Sequence, residues 1–76
     1  MEEKILPKDR LRELRAKKGL TRNQLHEATE LSNNALRDWE LGDCIPNGKY
    51  LVILADYYGV SIDYIMCRTD NPEINQ

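Results

Sequence analysis

Within several segments apolar residues recur at three- and four-residue spacing, as in Leu11 and Leu14, Leu25 and Ala28, and Leu51, Leu54, Ala55 and Tyr58, and no stretch alternates with period two. That spacing predicts helices throughout and no strand. A first helix is predicted over Lys8–Lys18, with Leu11 and Leu14 inward, Pro7 as a favourable start and Gly19 as its stop. Leu20 stands as a staple residue ahead of Thr21. Thr21 and Gln24 form a capping box, so a short second helix begins there, with Leu25 and Ala28 as its apolar stripe. The stripe ends near Thr29-Glu30, and Ser32 then caps a third helix that closes at Gly42.

Pro46 disfavours helix at Ile45, so Asp43–Pro46 reads as a loop. Asn47 caps a fourth helix to about Tyr58, with Leu51, Leu54, Ala55 and Tyr58 on one face. Gly59 stops it, and Val60 is placed for the apolar contact that accompanies such a cap. Ser61 opens a last short helix carrying Ile62, Ile65 and Met66. The expected fold class is therefore all-α: a five-helix bundle with a central helix-turn-helix. Its expected extent is residues 8–68, with a flexible N-terminal segment over residues 1–7 and a flexible polar tail over residues 69–76.

The third helix has two faces. At about 100° per residue, Ala35, Leu36 and Trp39 fall in one sector, the buried one. Asn33, Asn34, Arg37 and Leu41 gather on the other. Two carboxamides and a guanidinium on one exposed face are suited to reading base edges in the major groove. Asn pairs bidentately with adenine, and Arg does so with guanine. A plain surface reading is also available, in which the two Asn favour a first helical turn and Arg37 is a solvated charge.

Composition adds limits. The chain has 76 residues, enough for one domain near the small end of what folds without staples. No apolar run approaches membrane-spanning length, and MEEKILPK lacks the features of a secretory leader, so a cytoplasmic protein is expected. Cys44, Cys67 and the single His26 have no metal-ligand spacing, and no base or oxyanion signature accompanies them. Free thiols, no metal, no cofactor and no enzymatic activity are the expectation. The net charge is −2, but it is unevenly placed. Residues 1–22 carry eight basic groups against four acidic ones, whereas residues 23–76 carry three against nine. A basic side suits phosphate, leaving an acidic side for solvent or a partner.

The segments RLRELRAKKGLT (Arg10–Thr21), LSNNALRDWELG (Leu31–Gly42) and PNGKYLVILADYYGVSIDYIM (Pro46–Met66) resemble the lambda-repressor and Cro-like helix-turn-helix proteins, the Xre family. The resemblance covers about residues 8 to 68, and the Trp-Glu-x-Gly ending of the third helix is among its most specific parts. It implies a lambda-repressor-like domain of five helices whose second and third form the DNA-binding unit. Asn33, Asn34 and Arg37 fall at its base-reading positions. Arg22, with Asn23 beside it, takes a phosphate-binding place, and Lys49 and Tyr50 open a fourth helix whose N-terminal amides hold a phosphate. Glu40 matches a Glu that pairs with an Arg of the first helix, here Arg10 or Arg15, as a structural ion pair.

Some positions depart from the family. His26 stands where members have a small residue, which crowds it against the third helix. Glu30 replaces the Gly of the turn, Thr29 an apolar residue, and Asp43 lies in a loop that is often basic. A left-handed residue at Glu30 costs about 1–2 kcal/mol. Glu30 and Asp43 also bring negative charge towards the phosphates.

The expected function is a sequence-specific regulator that binds double-stranded DNA, a repressor of prophage or mobile-element type. One helix reads few base pairs, so a homodimer on a pseudo-palindromic operator is expected. Ile62, Tyr64 and Ile65 are the candidate dimer contacts, although the same residues also suit the core. The alternative is a protein-binding module, an antitoxin or anti-repressor, whose acidic half meets a protein partner.

Overall fold

A computed structural model describes residues 5–73. Among the described residues there are five helices and no strand: α1 (Pro7–Lys17), α2 (Arg22–Thr29), α3 (Asn33–Leu41), α4 (Gly48–Tyr58) and α5 (Ile62–Ile65). Local chemistry sets their starts. Thr21 Oγ1 accepts from the Gln24 backbone N–H at 3.1 Å, and Gln24 Oε1 accepts from the Thr21 N–H at 2.9 Å. Ser32, Asn47 and Ser61 each cap a helix by accepting from the N–H three residues on. These bonds satisfy donors that a helix N-terminus leaves unpaired.

The first helix begins earlier than its apolar stripe suggests. Pro7 is its first residue, because proline suits a position whose N–H has no partner, and Asp9 accepts from the Leu6 N–H at 3.2 Å. Of the segment expected to be flexible, residues 1–4 lie outside the described residues.

The helices enclose one core of Leu11, Leu14, Leu25, Leu31, Leu36, Trp39, Leu51, Leu54, Ala55, Val60, Tyr64 and Ile65. α1 packs on α3, and α2 lies across both α3 and α4. Trp39 is buried with its ring 5.3 Å from that of Tyr50, which ties α3 to the start of α4. Ala28 does not join the core. It is exposed, because Leu25 alone plugs the inner side of α2 and Leu31 in the following turn fills the next apolar place.

At the end of α3, Gly42 adopts φ +90°, and a Cβ there would stand 2.7 Å from Cδ of the Lys8 side chain. Glycine answers both demands. The chain then reaches α4 through Pro46, which is itself buried.

The C-terminal side corrects one expectation. Tyr64 and Ile65 are 7% and 0% exposed, so neither is free to form a dimer contact. α5 is a single turn that sinks both side chains beneath α1, where the guanidinium of Arg10 lies 3.8 Å from the Tyr64 ring centroid. Of the three candidates only Ile62 reaches the surface. The segment after α5 also folds back, starting from Cys67 at φ +62°, so that the carbonyl of Pro72 accepts from the Ser61 N–H at 3.0 Å. That bond joins residue 72 to the start of α5; residues 74–76 lie outside the described residues.

Candidate nucleic-acid interface

The turn between α2 and α3 is a small hydrogen-bonded knot. Glu30 is left-handed, with φ +61°, and its N–H donates to the His26 carbonyl at 2.7 Å. The Thr29 hydroxyl donates to the Leu25 carbonyl at 2.7 Å and accepts from the Leu31 N–H at 3.3 Å. His26 Nδ1 bonds to the Leu31 carbonyl, which requires the proton on that nitrogen. Thr29 and His26, both departures from the family pattern, thus supply polar partners that hold a turn made without glycine. These bonds offset the left-handed strain at Glu30.

α3 is clamped from inside. Leu36 and Trp39 are in the core, and Glu40 is buried with them. The carboxylate of Glu40 accepts from Arg15 at both oxygens: Nε to Oε2 at 2.9 Å and Nη2 to Oε1 at 2.8 Å. Arg15 Nη1 also reaches the Leu20 carbonyl at 2.9 Å. Of the two arginines that the sequence offered, Arg15 holds the pair. Arg10 lies 4% exposed against Tyr64, its Nε without a hydrogen-bond partner among the described residues, and stands 3.7 Å from the exposed carboxylate of Asp70. The hydrogen bonds that Arg15 donates to Glu40 keep its guanidinium more firmly protonated than usual. Nearby, burial pushes the Tyr58 hydroxyl far above its ordinary value, and the charge of Glu40 adds to that push.

The opposite face of α3 is open. Asn34 and Arg37 are exposed and Asn33 partly so, and Leu41 stands 57% exposed at the end of the same face. Among the described residues the Arg37 guanidinium has one ion pair, a 3.5 Å contact with neighbouring Asp38. Between the two helices, Asn33 Nδ2 donates to Asn23 Oδ1 at 3.2 Å, and Asn23 Nδ2 donates to Glu27 at 3.2 Å. The bridge between Asn23 and Asn33 has no local signature, since ten residues and a turn separate the partners.

Arg22 is half-buried at the first position of α2. Lys49 lies exposed in the first turn of α4, its ammonium 5.9 Å from the Tyr50 ring. Tyr50 itself is half-buried against Trp39. The arrangement defines a helix-turn-helix domain with a polar outward face on its second helix.

The helix-turn-helix family profile matches residues 11–65, and the chain belongs to that family of lambda-repressor-like (Xre) transcriptional regulators. It is 41% identical over 64 residues to the HTH-type transcriptional regulator YobD of Bacillus subtilis, across 84% of this chain and 57% of that protein. It is 34% identical over 58 residues to the HTH-type transcriptional activator BcrR of Enterococcus faecalis, across 76% of this chain and 28% of that protein. The chain thus matches little more than half of one relative and about a quarter of the other. The solution structure of the DNA-binding domain of the P22 C2 repressor superposes with a TM-score of 0.78 at 28% identity, over 97% of this chain and 96% of that one.

Proposed function

We propose that this protein binds double-stranded DNA in a sequence-specific manner and regulates transcription from the bound site. The observation that carries the reading is the pair of faces on α3. One is fixed by Leu36, Trp39 and the bond from Arg15 to Glu40; the other presents Asn34 and Arg37 exposed and Asn33 partly exposed. A rigid helix with two carboxamides and a guanidinium outward matches what base edges demand. In this reading Arg37 takes a guanine and Asn33 and Asn34 take adenines. Leu41 is free to meet a thymine methyl group.

Arg22, Asn23, Lys49 and the amides opening α4 hold phosphates on either side. They set the register while α3 reads sequence. Asn23 has a double duty, since it also bonds Asn33 and so couples a phosphate-side residue to a base-side one. Repression, of the kind used by prophages and mobile elements, is the output favoured by the likeness to the P22 C2 repressor domain over nearly its whole length. Two copies occupy half-sites about one helical turn apart. They meet on the DNA rather than through α5, whose Tyr64 and Ile65 are used by the core.

The test is selection of bound duplexes from a random pool at moderate salt, with Arg37→Ala as control. A short two-fold symmetric consensus that weakens with the control supports the reading. No enrichment by folded protein at any salt would refute it.

A further inference from the structure

On the side formed by α4, α5 and the returning segment lies an open groove of about 370 Å³, lined in part by Val52, Ala55, Asp56, Ile62, Asp63 and Glu73. Val52 is 47% exposed and Ile62 37%, so the groove shows apolar surface that neither the core nor the returning segment covers. Its rim carries the carboxylates of Asp56, Asp63 and Glu73. Among the described residues, none of the three is in an ion pair. No residue of α2 or α3 lines it, so it is distinct from the proposed DNA face.

We infer that this groove docks a partner protein through a short helix with apolar residues along one side and Lys or Arg flanking them. The shape fits a helix laid into a groove, which places apolar anchors at i, i+3 and i+4 over a strip such as Val52–Ile62. A small ligand needs a pocket that encloses most of its surface, and this one is open. Charge selects the rest of the occupant. Three exposed carboxylates around apolar surface steer and orient a basic helix. A two-fold pairing with a second copy sets the same patch against itself, and Asp56, Asp63 and Glu73 would then face their own like charges. Nucleic acid is repelled for the same reason. With the groove and α3 on different elements, one molecule can hold DNA and a protein partner together.

The test uses isotope-labelled protein without DNA, titrated with a synthetic amphipathic helix of leucine and lysine, and with the same peptide carrying glutamate for lysine. Amide shift changes are expected at Val52, Asp56, Ile62, Asp63 and residues 69–73 with the lysine peptide alone. Affinity should fall at least about tenfold in Val52→Glu and again in Asp56→Lys, both surface changes that leave thermal unfolding unchanged. Shifts scattered over the whole acidic surface would overturn the inference. Equal binding of both peptides, or undiminished affinity in Val52→Glu, would do the same. Concentration-dependent shifts at these residues without peptide would assign the groove to a second copy, and overturn it too. Since no DNA is present, failure here and failure of the duplex selection are separate results.

Discussion

Arg15 on α1 and Glu40 on α3 meet through a two-pronged hydrogen bond, 2.9 and 2.8 Å at its two closest contacts, with Glu40 only 6% exposed. The pair fixes the rotation of α3 about its own axis, and therefore which residues face outward. Removing one partner strands a buried charge, which costs about 3–5 kcal/mol when both are enclosed. Arg15 is a quarter exposed on its side chain, so Glu40→Ala should lose about 3 kcal/mol in urea unfolding. Arg15→Met with Glu40→Leu should recover most of it. Single variants that each cost under about 1 kcal/mol would show that the pair behaves as an ordinary surface bridge.

Arg37 and Arg22 should separate by mode of binding. Arg37→Ala is expected to cost about 1–3 kcal/mol on the selected site and to relax preference at one base pair. Arg22→Ala is expected to weaken all duplexes alike and to reduce the salt dependence by about one phosphate. Titrations against cognate and scrambled duplexes at several salt concentrations read both. Equal losses on both duplexes for Arg37→Ala would remove it from base reading.

Asn23 and Asn33 should be coupled. In a double-mutant cycle on the selected duplex, Asn23→Ala and Asn33→Ala should show an interaction energy of about 0.5–1.5 kcal/mol, from the bond between them. Additive losses would mean that the two carboxamides contact DNA independently.

Glu30→Gly removes a side chain from a left-handed residue and a negative charge from the proposed DNA side. Relief of backbone strain of about 1–2 kcal/mol is partly offset by the added freedom of glycine in the unfolded chain. A net gain of about 0.5–1 kcal/mol in thermal unfolding is therefore expected. DNA affinity should rise as well, most visibly at low salt. A lower melting temperature would indicate that Glu30 makes a stabilising contact that outweighs its strain.

Tyr58 sets an alkaline limit on stability. Burial raises its hydroxyl well above the ordinary value of 10.0 in the folded protein, so above that pH the unfolded chain has released a proton that the folded chain still holds. Its contribution is fully present below pH 10.0 and is lost progressively as pH rises beyond it. Tyr58→Phe should flatten this decline, as followed by unfolding at stepped pH alongside tyrosinate absorbance. An unchanged slope would place the titrating group elsewhere.

Helix positions were legible because their signals are local. Thr21 with Gln24, and Ser32, Asn47 and Ser61, each cap a helix through atoms within three residues. The outward set Asn33, Asn34 and Arg37 followed from helical rotation alone once Leu36 and Trp39 were taken as inward. The left-handed turn at Glu30 was readable too, from a position where the family carries Gly.

What the tertiary structure alone decided lies between elements distant in sequence. Arg10 and Arg15 are equally plausible partners for Glu40 by type, yet only Arg15 lies opposite it when α1 packs on α3; Arg10 is turned toward Tyr64. The bridge from Asn23 to Asn33, the burial of Tyr64 and Ile65, and the return of Pro72 to Ser61 are of the same kind. Capping and amphipathic rotation depend on neighbours along the chain, which the order of residues states directly. Pairing and burial across the bundle depend on the angle and register at which helices cross, and those arise only when the whole core closes at once.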